Sequence, residues 1–130
     1  MAILGTGIDI VENYRLKEIL LKKKSNFKKR IFTINEVLYC EKKSNSISCY
    51  AKRFAAKEAL AKSLGTGFRK NLNFKDIEIL NDKIGKPYYF RSKKIDAIIN
   101  KKFKVKKYNL FLSISDEKDY SIAFTILQTK

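Results

Sequence analysis

The segment RFAAKEALAK (residues 53–62), continued by SLGTG, fixes one element of the fold. Its composition and spacing predict a helix over residues 47–64, with Gly65 as a left-handed stop. At about 100° per residue, Glu58 falls between Ala51, Phe54, Ala55 and Ala61. That is the most apolar side of the helix, where an unpaired carboxylate is costly. Glu58 therefore needs a partner. Lys62, four residues on, offers the ordinary one through an i,i+4 pair, and a charged position on a partly exposed helix is the other ordinary account of Glu58.

The rest of the chain supplies elements to pack against this helix. Residues 2–11 (AILGTGIDIV) read as a strand, and 12–24 as a helix with Leu16, Ile19 and Leu20 on one face. Residues 35–44 read as a short helix with Asn35 as its N-cap. Strands over 76–80 and 86–91 are joined by Asn81–Gly85, a weak helix covers 93–103, and strands over 110–115 and 120–127 form a second hairpin. This order predicts one α+β domain spanning residues 1–130, with helices packed on a mostly antiparallel sheet.

In the first strand, alternation puts Ile3, Gly5, Gly7, Asp9 and Val11 on one face. The two glycines leave room beside Asp9 for a ligand or another backbone. A buried pair with a lysine or arginine is the ordinary account of Asp9. Two acids in the two most apolar segments also fit one shared divalent cation. With oxygen ligands alone, that cation would be Mg²⁺ or Mn²⁺, completed by water and phosphate. Arg53, Lys57 and Lys62, together with free backbone N–H groups in a Gly65–Thr66–Gly67 turn, suit a phosphate ligand. GTG at 5–7 is neither a P-loop nor a dinucleotide fingerprint.

The chain has 29 basic and 13 acidic residues, a net charge of +16, and no histidine. A Ser-His-Asp triad, a Cys-His dyad and a histidine-containing zinc site are thereby excluded. Such a charge attracts nucleic acid, phosphorylated cofactors and acidic proteins alike. All but five of the basic residues are lysine, as A/T-rich coding would also produce. No nucleic-acid recognition pattern accompanies the charge, so a small basic nucleic-acid-binding domain is the lesser alternative. The cationic first helix, continued by Phe27-Lys28-Lys29-Arg30, suits an acidic helical protein, although a solvated lysine face explains it too. No apolar run reaches membrane-spanning length, and the first residues do not read as a signal peptide. Cys40 and Cys49 lie in a polar region and read as free thiols in a reducing cytoplasm.

GTGIDIVE, then Arg15, then RFAAKEALAKSLGTG, then a hairpin ending GKPY, in this order and spacing, resemble the bacterial holo-acyl-carrier-protein synthases. The resemblance runs from about residue 2 to 127. It implies the 4'-phosphopantetheinyl transferase fold and transfer of 4'-phosphopantetheine from coenzyme A to a serine of apo-acyl-carrier protein. It also implies Mg²⁺, a homotrimer and active sites at subunit boundaries. By this resemblance Asp9 and Glu58 bind the metal, and Asp9, Glu58 and Lys62 carry the chemistry. Arg53, Lys62, Gly65, Thr66, Gly67 and Ser115 line the coenzyme A site, and Arg15, Ile19, Lys22, Phe27 and Arg30 hold the carrier protein. Some members carry a histidine where this chain has Asp116. The proton acceptor then falls to Glu58 or to a water at the metal, with Asp116 the weaker candidate.

Overall fold

The structure, a computed structural model, describes residues 1–22, 26–69 and 71–130. Strand β1 (Ile3–Glu12) leads into helix α1 (Asn13–Leu21), and two short helices follow, α2 (Phe27–Ile31) and α3 (Ile34–Glu41). The long helix α4 (Ser46–Ser63) comes next. A 3-10 turn at Phe74–Asp76 precedes strands β2 (Ile79–Asn81) and β3 (Pro87–Tyr89). Helix α5 (Lys93–Phe103) and strands β4 (Tyr108–Asp116) and β5 (Tyr120–Thr129) complete the chain. β1, β5 and β4 form an antiparallel sheet in the order β1-β5-β4, and β2 and β3 form a two-stranded ribbon. The expected α+β architecture is present.

α4 lies directly on the sheet. A β-carbon at Gly5 would sit 1.9 Å from the Ser63 carbonyl oxygen, and one at Gly7 would sit 1.8 Å from that of Ala59. The glycines thus admit another backbone, the second of the two occupants their size allows. Ala55, Ala56, Ala59 and Ala61 are fully buried, and Leu60, Leu64, Ile77, Ile79, Ile95, Ile99 and Leu127 close the core around them. The other face of the sheet is left uncovered by the described residues. Ile8 and Ile10 of β1 are 58% and 59% exposed, and Phe111 and Phe124 beside them 50% and 39%.

Several local expectations are corrected. α1 starts at Asn13, not residue 12, and ends at Leu21; residues 23 and 24 of the expected helix lie outside the described residues. α3 is capped by Thr33, not Asn35. The Thr33 side chain accepts from the Glu36 N–H at 3.3 Å, and the Glu36 carboxylate accepts from the Thr33 N–H at 2.9 Å. Asn35 instead lies within the first turn, where its amide donates to Glu78. The expected strand over 76–80 begins only at Ile79, because Asp76 closes the 3-10 turn by accepting from the Asn73 N–H.

The cysteines are not free. Cys40, in the last turn of α3, and Cys49, in the first turn of α4, are joined as a disulfide with α-carbons 5.4 Å apart. Their surroundings are not polar either. Both are buried among Leu16, Phe32, Tyr50 and Ala51, in a second core beneath α1 and α2.

A third feature was not anticipated. Lys57 and Glu36 are both fully buried and paired at 2.7 Å. The Lys57 ammonium also donates to the carbonyls of Phe74 and Ile77, and the second Glu36 oxygen accepts from the Ile79 N–H. One ion pair thus ties α3, α4 and the approach to β2 together.

Candidate active site

β1 and α4 bring Asp9 and Glu58 to the same opening. Asp9 pairs with Ala123 of β5 on the helix-covered face of the sheet, and Glu58 projects from α4 beside it. Both carboxyls are half-buried. Burial raises the Glu58 pKa, and the neighbouring Asp9 raises it further, against a smaller opposing effect of Lys62. Burial also raises that of Asp9, partly offset by Lys62. The Lys62 ammonium donates to Asp9 Oδ1 at 3.1 Å and to the Ile8 carbonyl at 2.9 Å. It makes no ion pair with Glu58. The ordinary i,i+4 account of Glu58 therefore does not hold, whereas the Asp–Lys account of Asp9 does. Glu58 is left without a hydrogen bond or ion pair among the described residues.

Asp9, Glu58 and Lys62 line a cleft of about 420 Å³ together with Arg15, Leu16 and Ile19 of α1, Phe27 and Phe54. Phe54, Glu58 and Lys62 recur every four residues and form one stripe of α4. Phe27 closes the far wall, with its ring 5.8 Å from Phe54 and 6.3 Å from Phe32. Three of the five residues expected to grip a carrier protein, Arg15, Ile19 and Phe27, therefore border the two acids. Lys22, just after α1, and Arg30 on α2 are exposed outside the cleft.

Beyond Lys62 the wall continues into a shallow cavity formed with Gly65, Thr66, Gly67, Phe68 and Arg69. Gly65 and Gly67 adopt φ of +79° and +61°. Their amides are not free, contrary to expectation. The Gly65 N–H donates to the Lys62 carbonyl at 2.9 Å and the Gly67 N–H to that of Ala61 at 3.2 Å, closing the helix C-terminus.

Arg53 does not join this group. It lines a separate cavity of about 480 Å³ with Tyr39, Lys43, Lys52, Asn81 and Asp116, among others. Its guanidinium lies 4.4 Å from the Tyr39 ring centre and donates to Asn81 Oδ1 at 2.6 Å. Arg53 is only 4% exposed, and its Nε has no hydrogen-bond partner among the described residues. Asp116 accepts from Ser48 Oγ at 3.2 Å and lies 3.9 Å from the Lys52 ammonium. Ser115 is exposed on the uncovered sheet face and borders neither cavity.

Residues 5–125 match the family model of the 4'-phosphopantetheinyl transferase superfamily. The chain is 56% identical, over the full length of both, to a holo-[acyl-carrier-protein] synthase of Pelagibacter ubique. The chain belongs to the 4'-phosphopantetheinyl transferase superfamily. Its fold matches the crystal structure of the holo-[acyl-carrier-protein] synthase of Neisseria meningitidis with a TM-score of 0.86 at 35% identity, covering 98% of this chain and 99% of that one. It also matches a Bacillus anthracis synthase in complex with CoA (3',5'-ADP), with a TM-score of 0.81 at 36% identity over all of both chains. This membership sets the nucleic-acid alternative aside.

Two carboxylates beside one ammonium leave an excess negative charge at a half-buried site. Arg15 and Glu12 border the same cleft, so the acids still outnumber the cations there and a further cation would offset the excess. No cluster of three acids, cysteines or histidines that could hold a metal ion exists among the described residues. Asp9 and Glu58 could offer oxygen ligands to a hard divalent cation, whose remaining positions would then fall to water and phosphate. Sequence reasoning overlooked Phe54, although its four-residue spacing from Glu58 was a usable signal. It also overlooked Lys43, Lys52 and Asn81. No motif marks them, because α3, α4 and β2 converge only in the fold.

Proposed function

We propose that this transferase is a holo-acyl-carrier-protein synthase. In this reading it moves 4'-phosphopantetheine from coenzyme A to a serine of apo-acyl-carrier protein, releases adenosine 3',5'-bisphosphate, and thereby equips the carrier for fatty acid biosynthesis. The carrying observation is that Asp9, Glu58 and Lys62 share one cleft with Arg15, Ile19 and Phe27. That cleft puts phosphate chemistry beside a cationic and apolar rim suited to an acidic partner.

The serine oxygen attacks the β-phosphorus and forms a new P–O bond. The bond to the bridging oxygen breaks, and the bisphosphate leaves with that oxygen. Asp9 and Glu58 would hold Mg²⁺, which when bound neutralises charge on the pyrophosphate. Lys62 adds a cation next to the leaving group. Glu58, raised by burial and by Asp9 and lacking an ion-pair partner, is placed to receive the serine proton. Asp116 borders the other cavity of the same chain and is the poorer acceptor.

The Arg53 cavity takes the nucleotide end of coenzyme A in this reading, as its unpaired buried Nε and flanking lysines support. The enzyme is one domain that assembles as a homotrimer with its sites at subunit boundaries. The uncovered apolar sheet face supports the assembly, as does the separation of the two cavities within one chain. No described helix is long and apolar enough to cross a membrane. We place the enzyme in the cytoplasm; the Cys40–Cys49 disulfide is the feature that sits least well there.

Incubation with apo-carrier protein, coenzyme A and Mg²⁺ should add one phosphopantetheine mass to the carrier. Asp9→Ala and Glu58→Ala should each abolish the gain without unfolding the protein. No mass gain beside a competent control enzyme overturns the function, and near-wild-type Mg²⁺-dependent transfer in either variant overturns the metal site.

A further inference from the structure

A fourth cavity, of about 350 Å³, lies between the segment after α4 and the end of α5, bounded by Thr66, Arg69, Leu72, Ile98, Lys101 and Lys102. Its composition divides sharply. Leu72, 4% exposed, and the half-buried Ile98 supply an apolar part. Arg69, Lys101 and Lys102 supply three cations, and none of them pairs with an acid among the described residues. The helix dipole accounts for lysines in the last turn of α5. It does not account for Arg69, which comes from another segment. Lys102 reaches back toward the turn after α4, with its ammonium 2.9 Å from where a β-carbon of Gly65 would stand.

The cavity also shares wall residues with the neighbours of the site. Lys62 borders both the Asp9–Glu58 cleft and the Gly65–Gly67 cavity. Thr66 and Arg69 border both the Gly65–Gly67 cavity and this fourth one. A substrate held by its pyrophosphate at Lys62, with its nucleotide in the Arg53 cavity, has one end left to place. Through the shared Thr66 and Arg69 this cavity is the next one along from Lys62. We propose that this fourth cavity receives the acyl end of an acyl-coenzyme A and selects short acyl groups that terminate in a carboxylate. This inference rests on the coenzyme A reading above. The apolar residues meet the methylene groups, and the three cations meet the terminal charge. The reaction is unchanged: the same P–O bond is made and broken, and the acyl thioester is carried across intact.

The test compares coenzyme A, butyryl-coenzyme A and succinyl-coenzyme A, the last two being four-carbon acyl groups that differ in terminal charge. Carrier mass gain gives kcat/KM for each. Exposed ion pairs are individually weak, so the expected preference for succinyl over butyryl is about fivefold, falling as salt is added. Lys101→Glu, on an exposed helix surface, should lower the ratio to one or below, and Arg69→Gln should lower it partway. A wild-type ratio of one overturns the inference, as does a preference that survives both substitutions. No transfer from coenzyme A itself defeats the underlying function instead, so the two failures are distinguishable.

Discussion

Replacing Gly7 with alanine tests how closely the site depends on the seating of α4 against β1. The added methyl would stand 1.8 Å from the Ala59 carbonyl oxygen, 2.8 Å from the Ala59 carbonyl carbon and 2.9 Å from the Ser63 nitrogen. All three are backbone atoms, so no side chain can rotate away. Restoring ordinary contact requires strand and helix to part by about 1.5 Å. Overpacking of this kind costs about 1–3 kcal/mol where side chains can adjust, and the rigid neighbour places Gly7→Ala near 3 kcal/mol. For a domain of this size that lowers Tm by roughly 10 °C. Function should suffer more. Asp9 is two residues along β1 from Gly7, and Glu58 adjoins Ala59, so the two carboxylates separate with the elements that carry them. A misplacement of about 1 Å costs on the order of 100-fold in rate. Thermal melts and Mg²⁺-dependent transfer are the assays. Gly85→Ala is the stability control: it has no atom within 4 Å and a φ of +91°, so only backbone strain of about 1–2 kcal/mol applies. Gly7→Ala with wild-type melting and transfer would refute the close-seating argument.

Three further outcomes follow from the same structure. Lys57→Met leaves Glu36 buried without its cation and should cost about 3–5 kcal/mol in urea denaturation, with Lys57→Met/Glu36→Leu recovering much of the loss; an equal loss in the double variant contradicts this. Reducing the Cys40–Cys49 disulfide, which spans nine residues, should lower stability by roughly 2–3 kcal/mol; melts with and without reductant measure it, and identical curves argue against a native bond. Arg15→Glu should raise the Michaelis constant for the carrier protein while barely changing that for coenzyme A, and equal changes in both would remove α1 from the docking surface.

The sequence showed the site's chemistry better than its geography. Asp9 and Glu58 stood out because each acid interrupts an apolar pattern, and patterns of period 2 and 3.6 are local information. The long helix and the two glycines that seat it were legible for the same reason. The Thr33 cap was legible but missed: Thr33 and Glu36 have the spacing of a reciprocal cap, and Asn35 drew attention instead. Lys57 reads in the sequence as one more cation beside Glu58, because nothing local distinguishes a buried lysine from the many solvated ones; its buried pairing with Glu36 removes it from the expected phosphate-binding group. The disulfide was hidden differently. Nine residues of separation say nothing about two helix ends meeting, and the surrounding serines and lysines masked the apolar contacts from Leu16 and Phe32. Arg53 sits on the same helix as Glu58, yet faces another cavity because five residues carry the helix well past one turn.

The seating of α4 on β1 also bears on how such a chain can change over time. Lysine, asparagine and isoleucine have come to dominate this composition, as they do where coding drifts toward A and T. Alanine and glycine codons run against that drift. Yet five of the eight alanines stand in α4, and four of the five glycines lie in β1 or the turn that ends α4. At the helix–strand seam a β-carbon at Gly5 or Gly7 would meet the backbone of α4. The small residues of this chain thus concentrate where helix and strand backbones meet and where the helix ends at positive φ, and a composition otherwise rich in A/T-coded residues leaves those positions out.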